Sequence, residues 1–170
     1  MTFDTRSFRN ALGCFPTGIA VVTASASAAD AASGASETSH IGITVNSFTS
    51  VSLAPPLVLW CIDRRSRRYP FFAKAPGFTI SILAAGHRAV SSRLAGPGEH
   101  SLDGIALIPT QLGPPALADA LAVFECTRES DQDAGDHAIL LGRVVRFAQH
   151  DGACAPLVYF GGKYGALAQN

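Results

Sequence analysis

The 170-residue sequence predicts a mainly β protein, an antiparallel β-barrel with a few short helices, folded as a single domain over residues 1–170. At least six short runs carry strand patterning, with two or three short helical stretches among them. They do not alternate as the βαβ units of a doubly wound sheet do, which favours an antiparallel barrel. No internal period of roughly 20 to 50 residues recurs, so repeat architectures are excluded.

The elements follow in order. Residues 6–15 read as a short amphipathic helix with Phe8, Leu12 and Phe15 on one stripe, broken by Pro16-Thr17-Gly18. Residues 19–23 form a first strand. In residues 24–39, twelve of sixteen are Ala or Ser without apolar periodicity, too little apolar surface to offset the entropy of ordering, so a floppy hairpin loop is expected. Ile41, Ile43 and Val45 then alternate with small or polar residues, the period of a half-buried strand. Residues 57–62 are continuously apolar and predict a strand buried on both faces. A short helix is expected over 66–75, in which Pro70 is tolerable only in the first turn. A strand over 78–83 and a helix over 87–95 follow. Two strands over 121–127 and 137–147 are joined by the polar stretch 129–136, and a last strand covers 156–160.

Composition removes several classes. Thirteen basic and thirteen acidic residues give zero formal charge, without the basic excess of nucleic-acid binders. No apolar run approaches the roughly 18 residues of a membrane span. The polar N-terminus lacks a signal peptide's apolar stretch, so a cytoplasmic location is expected. Apolar residues make up 48% and charged residues 15%, a balance that suggests a surface covered by a second subunit. Cys14, Cys61, Cys126 and Cys154 form no CxxC pair, so zinc ribbons and thioredoxin-like dithiols gain no support.

The familiar nucleotide and hydrolase motifs are absent. There is no G-x-G-x-x-G, H-E-x-x-H or G-x-S-x-G, and Gly161-Gly162-Lys163 lacks the rest of a phosphate loop. Three stretches could carry chemistry. Thr44-Val45-Asn46-Ser47-Phe48-Thr49-Ser50-Val51-Ser52 concentrates short donors and acceptors able to wrap a ring edge or a phosphate, although a strand end turning into a loop has the same composition. Asp63-Arg64-Arg65-Ser66-Arg67-Arg68 is either a solvated turn or an anion pocket. Gly135-Asp136-His137 opens a strand with an imidazole suited to orienting a ligand or moving a proton, or simply exposed at a strand end.

Taken in order, these stretches resemble the flavin reductase-like family with the FMN-binding split-barrel fold, above all the small reductase components of two-component flavin-dependent monooxygenases. The likeness rests on residues 8–18, on residues 44–58, and on Arg65-Ser66, Ser91-Ser92-Arg93-Leu94-Ala95, Gly135-Asp136-His137 and Pro156-Leu157-Val158-Tyr159-Phe160. The resemblance implies that Thr44, Asn46 and Ser47 meet the flavin ring and ribityl chain, with Ser50 and Ser52 close by. It implies that Cys61, Ser66 and Arg93 lie nearer the phosphate and that His137 faces the nicotinamide. Lys163 and Tyr164 then belong to the nicotinamide nucleotide. Arg68 stands where the family often has Thr, so either it binds the phosphate or the pocket is rearranged there. The implied activity is reduction of FMN or FAD by NADH or NADPH. The implied partners are a second copy of the chain and a monooxygenase that receives diffusing reduced flavin. A split-barrel protein that retains its flavin for another substrate, a non-catalytic flavin or haem carrier, and a barrel without ligand are the alternatives.

Overall fold

Alternating apolar residues and tight turns put about half of the described residues into antiparallel strands, in a computed structural model that describes residues 3–25, 40–96, 101–150 and 154–167. The strands are β1 (Thr17–Gly18), β2 (Ala20–Ser25), β3 (His40–Val45), β4 (Thr49–Leu53), β5 (Pro56–Asp63), β6 (Gly77–Ile82), β7 (Leu107–Ile108) and β8 (Ala116–Leu117). They continue with β9 (Ala122–Ala134), β10 (His137–Gln149), β11 (Leu157–Phe160) and β12 (Lys163–Ala166). Among the described residues three α-helices and a 3-10 turn (Ala85–His87) join them: α1 (Thr5–Leu12), α2 (Tyr69–Lys74) and α3 (Arg88–Ala95). No helix among the described residues is long and apolar enough to cross a membrane.

Seven strands form one antiparallel sheet in the order β3-β2-β6-β9-β10-β5-β4. Its edge strands β3 and β4 are consecutive in the chain, separated only by Asn46, Ser47 and Phe48. Four Cα steps from Val45 to Thr49 span at most about 14 Å. The edges of a flat seven-stranded sheet lie about 29 Å apart. The sheet must therefore curl until its edges nearly meet. It remains open, since β3 and β4 do not pair. Beyond the end of β4, Ser47 closes the seam: its hydroxyl accepts from the Cys61 N–H at 2.9 Å and donates to the Cys61 carbonyl at 3.2 Å.

The curl encloses the main core. Trp60, fully buried, meets Phe72 edge-on at 4.9 Å and Phe78 at 5.7 Å, with Val22, Ile43, Ile80 and Leu140 around them. A second core lies outside β2, where Ile19 and Val21 pack with Leu83, Leu94, Leu117 and Leu157. Strands β2 and β6 are the two long strands buried on both faces among the described residues. The continuous apolar run of β5 predicted that status for residues 57–62 instead. Leu57, Leu59 and Cys61 are half-buried on the outer side, because only Val58, Trp60 and Ile62 turn inward.

Other boundaries shift for local reasons. Asp4 caps α1, accepting from the Ser7 N–H at 2.9 Å, and the helix stops at Leu12 rather than reaching residue 15. The Phe8, Leu12 and Phe15 stripe is real but faces outward, and no α1 residue is buried. The polar stretch 129–136 is strand as far as Ala134. Its turn is only Gly135-Asp136, with Gly135 at φ +65°, a left-handed value glycine takes without steric cost. Two register shifts let this hairpin of two 13-residue strands follow the curl. Strand β2 extends through Ser25, which pairs with His40, so residues 24–39 do join a hairpin. The expected looseness of that segment concerns residues 26–39, outside the described residues.

Ser47→Ala removes both seam hydrogen bonds. It is expected to lower unfolding free energy by about 1–2 kcal/mol, read by chemical denaturation.

Candidate functional site

The link that forces the curl also builds the site. Asn46, exposed where β3 ends, lines two adjoining grooves, and Tyr159 of β11 lines both as well. The larger groove, about 480 Å³, runs between α1 and the turn after β11. Arg9, Asn10 and Thr17 stand on one side and Gly161-Gly162 on the other. Those glycines hold φ +56° and +78° and bring bare backbone against the end of α1, where the Gly161 N–H donates to the Gly13 carbonyl at 2.9 Å. The smaller groove, about 190 Å³, is walled by Ile19, Thr44, Val45, Ala95 and Tyr164.

A chain of hydrogen bonds fixes that wall. The Thr44 hydroxyl donates to the Ser91 carbonyl at 2.8 Å, and the Ser91 hydroxyl shares a proton with the Tyr164 hydroxyl at 3.0 Å. The Arg88 guanidinium lies 5.5 Å from the Tyr164 ring centre, and Tyr159 meets that ring edge-on at 5.6 Å. Helix α3 and the C-terminal hairpin are thereby locked to the edge strand β3. Strand β12, which supplies Tyr164, was not expected from the sequence.

The expected site residues divide into groups. Thr44, Asn46 and Tyr164 come together at the smaller groove. Ser47 and Cys61 are joined by the seam bonds, and burial pushes the Cys61 thiol above its usual pKa. Ser50 and Ser52 lie on edge strand β4, a strand where the sequence suggested a loop. Lys163 is exposed at the start of β12 and lines neither groove.

Ser66, Arg68 and Arg93 also line neither groove. The Ser66 hydroxyl accepts from the Arg68 N–H at 3.3 Å. Arg68 is only 3% exposed and aims its guanidinium at the end of α3, donating to the Leu94 and Gly96 carbonyls at 2.6 Å each. Burial lowers its pKa from the ordinary guanidinium value. The arginine-rich segment is thus neither a wholly solvated turn nor a cluster of free cations. Arg93 donates to the Asp103 and Ser101 carbonyls at 2.8 and 2.9 Å, tying α3 to the next loop.

His137 opens β10 opposite Asp63. Its Nδ1 lies 2.7 Å from an Asp136 carboxylate oxygen, and because a carboxylate only accepts, Nδ1 carries the proton. His137 itself lines neither groove. That hydrogen bond holds Asp136 below the usual carboxylate range. Asp63 is held at about 2, chiefly by its hydrogen bond from the Arg65 side chain, whose terminal nitrogen lies 3.0 Å away.

Sequence reasoning missed Arg9, Asn10, Thr17, Ser91 and Tyr159 as groove or network residues. Arg9, Asn10 and Thr17 lay in the stretch 8–18 on which the resemblance rests, with no role attached to any of them. Ser91 and Tyr159 sat in stretches noted for their pattern and carried no mark of the pairing that folding produces.

Arg68→Met is expected to cost about 2–4 kcal/mol of stability, because two carbonyls lose a charged donor. Denaturation and a flavin titration on the same preparation separate this anchoring role from phosphate binding. For Asp63, the depressed folded pKa means stability present above the unfolded value of 3.8 and lost as pH falls through about 2. Asp63→Asn is expected to flatten the fall in stability over that interval, measured by denaturation at several acidic pH values.

The flavin reductase-like domain family matches residues 12–168. The FMN reductase (NADH) SmoA of Agrobacterium fabrum is 42% identical over 166 residues, 98% of this chain and 88% of that protein. The reductase subunit HsaB of a flavin-dependent monooxygenase from Mycobacterium tuberculosis is 32% identical over 162 residues, covering 95% and 81%. Among solved structures, the NADH:FAD oxidoreductase SgcE6 of Streptomyces globisporus, with NAD and FAD fragments, superimposes with a TM-score of 0.86. It is 31% identical, over 97% of this chain and 93% of that one.

Proposed function

The chain belongs to the flavin reductase-like family, and on that premise we propose that it reduces FMN or FAD with NADH or NADPH and releases the reduced flavin. The observation that carries this reading is the pair of grooves meeting at Asn46 and Tyr159. Hydride transfer needs the two rings stacked face to face at roughly 3 to 3.5 Å, and the junction of the two grooves at Asn46 and Tyr159 offers one place for both. Bound flavin and nicotinamide supply the redox chemistry themselves, so no catalytic triad or acid pair is required of the protein.

The chain's own contribution is orientation and exclusion of water. Asn46 forms no hydrogen bond among the described residues, and its carboxamide offers a donor and an acceptor to a ring edge. Thr44, Ser91 and Tyr164 are committed to one another and act as a rigid wall. His137 orients the nicotinamide nucleotide through Nε2, with Asp136 fixing the ring. Ser50, Ser52, Cys61, Ser66, Arg93 and Lys163 belong to the outer contacts of the two nucleotides. NADH is the first reductant to test, because SmoA and SgcE6 are both named for it.

A homodimer fits the exposed apolar side chains. Phe3, Phe8, Leu12 and Phe15 beside α1, and Leu53 on β4, are 52–94% exposed, a surface a second copy can cover. A flavin-dependent monooxygenase as recipient is supported by the role named for HsaB. The cytoplasm, where reduced nicotinamide nucleotides are made, suits such a reaction.

The test is steady-state oxidation of NADH and NADPH with FMN or FAD in excess over protein. Many turnovers of free flavin are expected, whereas a yellow protein that turns over no added flavin overturns the reading. His137→Ala is expected to lower kcat/KM for NADH about ten- to a hundredfold while flavin affinity holds, because positioning alone is lost. Stopped-flow reduction alongside a flavin titration checks it.

A further inference from the structure

His87 lines neither groove, yet it anchors the helix behind the smaller one. It ends the 3-10 turn between β6 and α3, and it is half-buried. An amide only donates, so Nδ1, 3.1 Å from the Ala84 nitrogen, is the bare, accepting nitrogen of the ring. A carbonyl only accepts, so Nε2, 3.1 Å from the Ala118 oxygen, carries the ring's one proton. The His87 N–H returns to the Ala84 carbonyl at 2.9 Å and closes the turn. Only the neutral imidazole, in this one tautomer, satisfies both neighbours.

Several segments meet at this ring. Ala84 is bridged to Pro156, and the Ala85 N–H donates to the Ala155 carbonyl at 2.8 Å, which fastens the C-terminal hairpin here. Ala118 directly follows β8. One helical turn beyond His87, Ser91 accepts from Thr44 and shares a proton with Tyr164, and both partners wall the smaller groove. A shift at His87 therefore reaches that wall through a single turn of α3. Of the charged or titratable groups on the surrounding elements, Arg88 lies against the Tyr164 ring and Arg93 binds the Ser101 and Asp103 carbonyls. Asp119, beside Ala118, and Cys154, beside Ala155, are exposed. None forms an ion pair with His87 among the described residues, so no carboxylate is paired with the ring to hold a second proton.

We propose that His87 is a positioning residue for the flavin, acting through α3 and Ser91, and that it makes flavin binding acid-sensitive. A second proton, taken by Nδ1 from solvent, aims N–H at N–H, frees the Ala84 amide and loosens α3 behind Thr44 and Tyr164. The ring's two bonds are present above the range, about pH 5 to 8, in which an imidazole changes charge, and are lost as pH falls through it. The inference rests on the reductase reading only for its ligand.

The experiment compares the wild-type chain with His87→Gln and His87→Ala at about pH 8 and pH 5.5. FMN or FAD, whichever binds more tightly, is titrated without nicotinamide, and amide hydrogen exchange is followed over residues 83–95. Glutamine keeps one acceptor and one donor and does not titrate. On acidification, wild-type flavin affinity is expected to fall about three- to tenfold more than that of His87→Gln. Exchange over 83–95, corrected for the chemical rate, is expected to quicken in the wild type and hold in His87→Gln. His87→Ala is expected to bind flavin about three- to tenfold less tightly at both pH values. Equal acid profiles for wild type and His87→Gln overturn the proposal. So does a His87→Ala protein whose melting temperature falls while flavin affinity holds, the mark of a merely structural residue. If neither variant folds, imidazole nitrogen NMR of the wild type decides, and a His87 ring still neutral at the lower pH overturns the proposal. A chain that binds no flavin overturns the reductase reading, while the exchange comparison still tests the anchor.

Discussion

Three residues joining the two edges of a seven-stranded sheet set the geometry of this protein. Asn46, Ser47 and Phe48 are too short a bridge for any flat arrangement, so the sheet curls, and the curl makes a dry interior for Trp60, Phe72 and Phe78. The same three residues sit where the edges approach. A seam that cannot be closed by strand pairing leaves backbone groups to be satisfied otherwise, and Ser47 does this for Cys61 with one hydroxyl. Its neighbour Asn46 is left pointing at the two grooves. Closure of the fold and construction of the site are one event.

Polar side chains here divide sharply by what they do. Arg68, Arg93, Ser47, Thr44 and Ser91 spend their donors inside the protein, mostly on backbone carbonyls at helix ends, seams and loops. Arg9, Asn10 and Asn46 do not. Committed groups hold shape because each lost bond exposes an unsatisfied partner, while uncommitted ones are free to meet a ligand at little cost. Among the arginines, chain position says little about which is which. Arg68 is the most buried charge among the described residues, although it ends the densest cationic run in the sequence.

The strand framework was legible because period-two alternation and turn residues are local properties. Ile41, Ile43 and Val45 point inward as their spacing requires, and Gly135 turns the chain as its lack of a side chain permits. Whatever depended on distant packing was not legible. The β5 run looked doubly buried because apolar content cannot say whether a second layer covers the outer face. The polar arm of β9 looked like loop because a hairpin extending into solvent needs no apolar alternation. Of the expected site residues, Thr44, Asn46 and Tyr164 converge, but the reason lies in Ser91 and Tyr159, which reach them only through tertiary structure.

Trp60 is the chain's one tryptophan and has no exposed surface. Its indole N–H finds no partner among the described residues, and two phenyl rings press on it edge-on. An indole in such dry surroundings fluoresces at short wavelength, and flavins absorb in the band where it emits. A flavin bound within energy-transfer range would dim that light without shifting its colour, whereas opening of the barrel admits water and moves the emission to the red. The protein therefore carries its own optical gauge, in which occupancy and unfolding write different signatures into one spectrum.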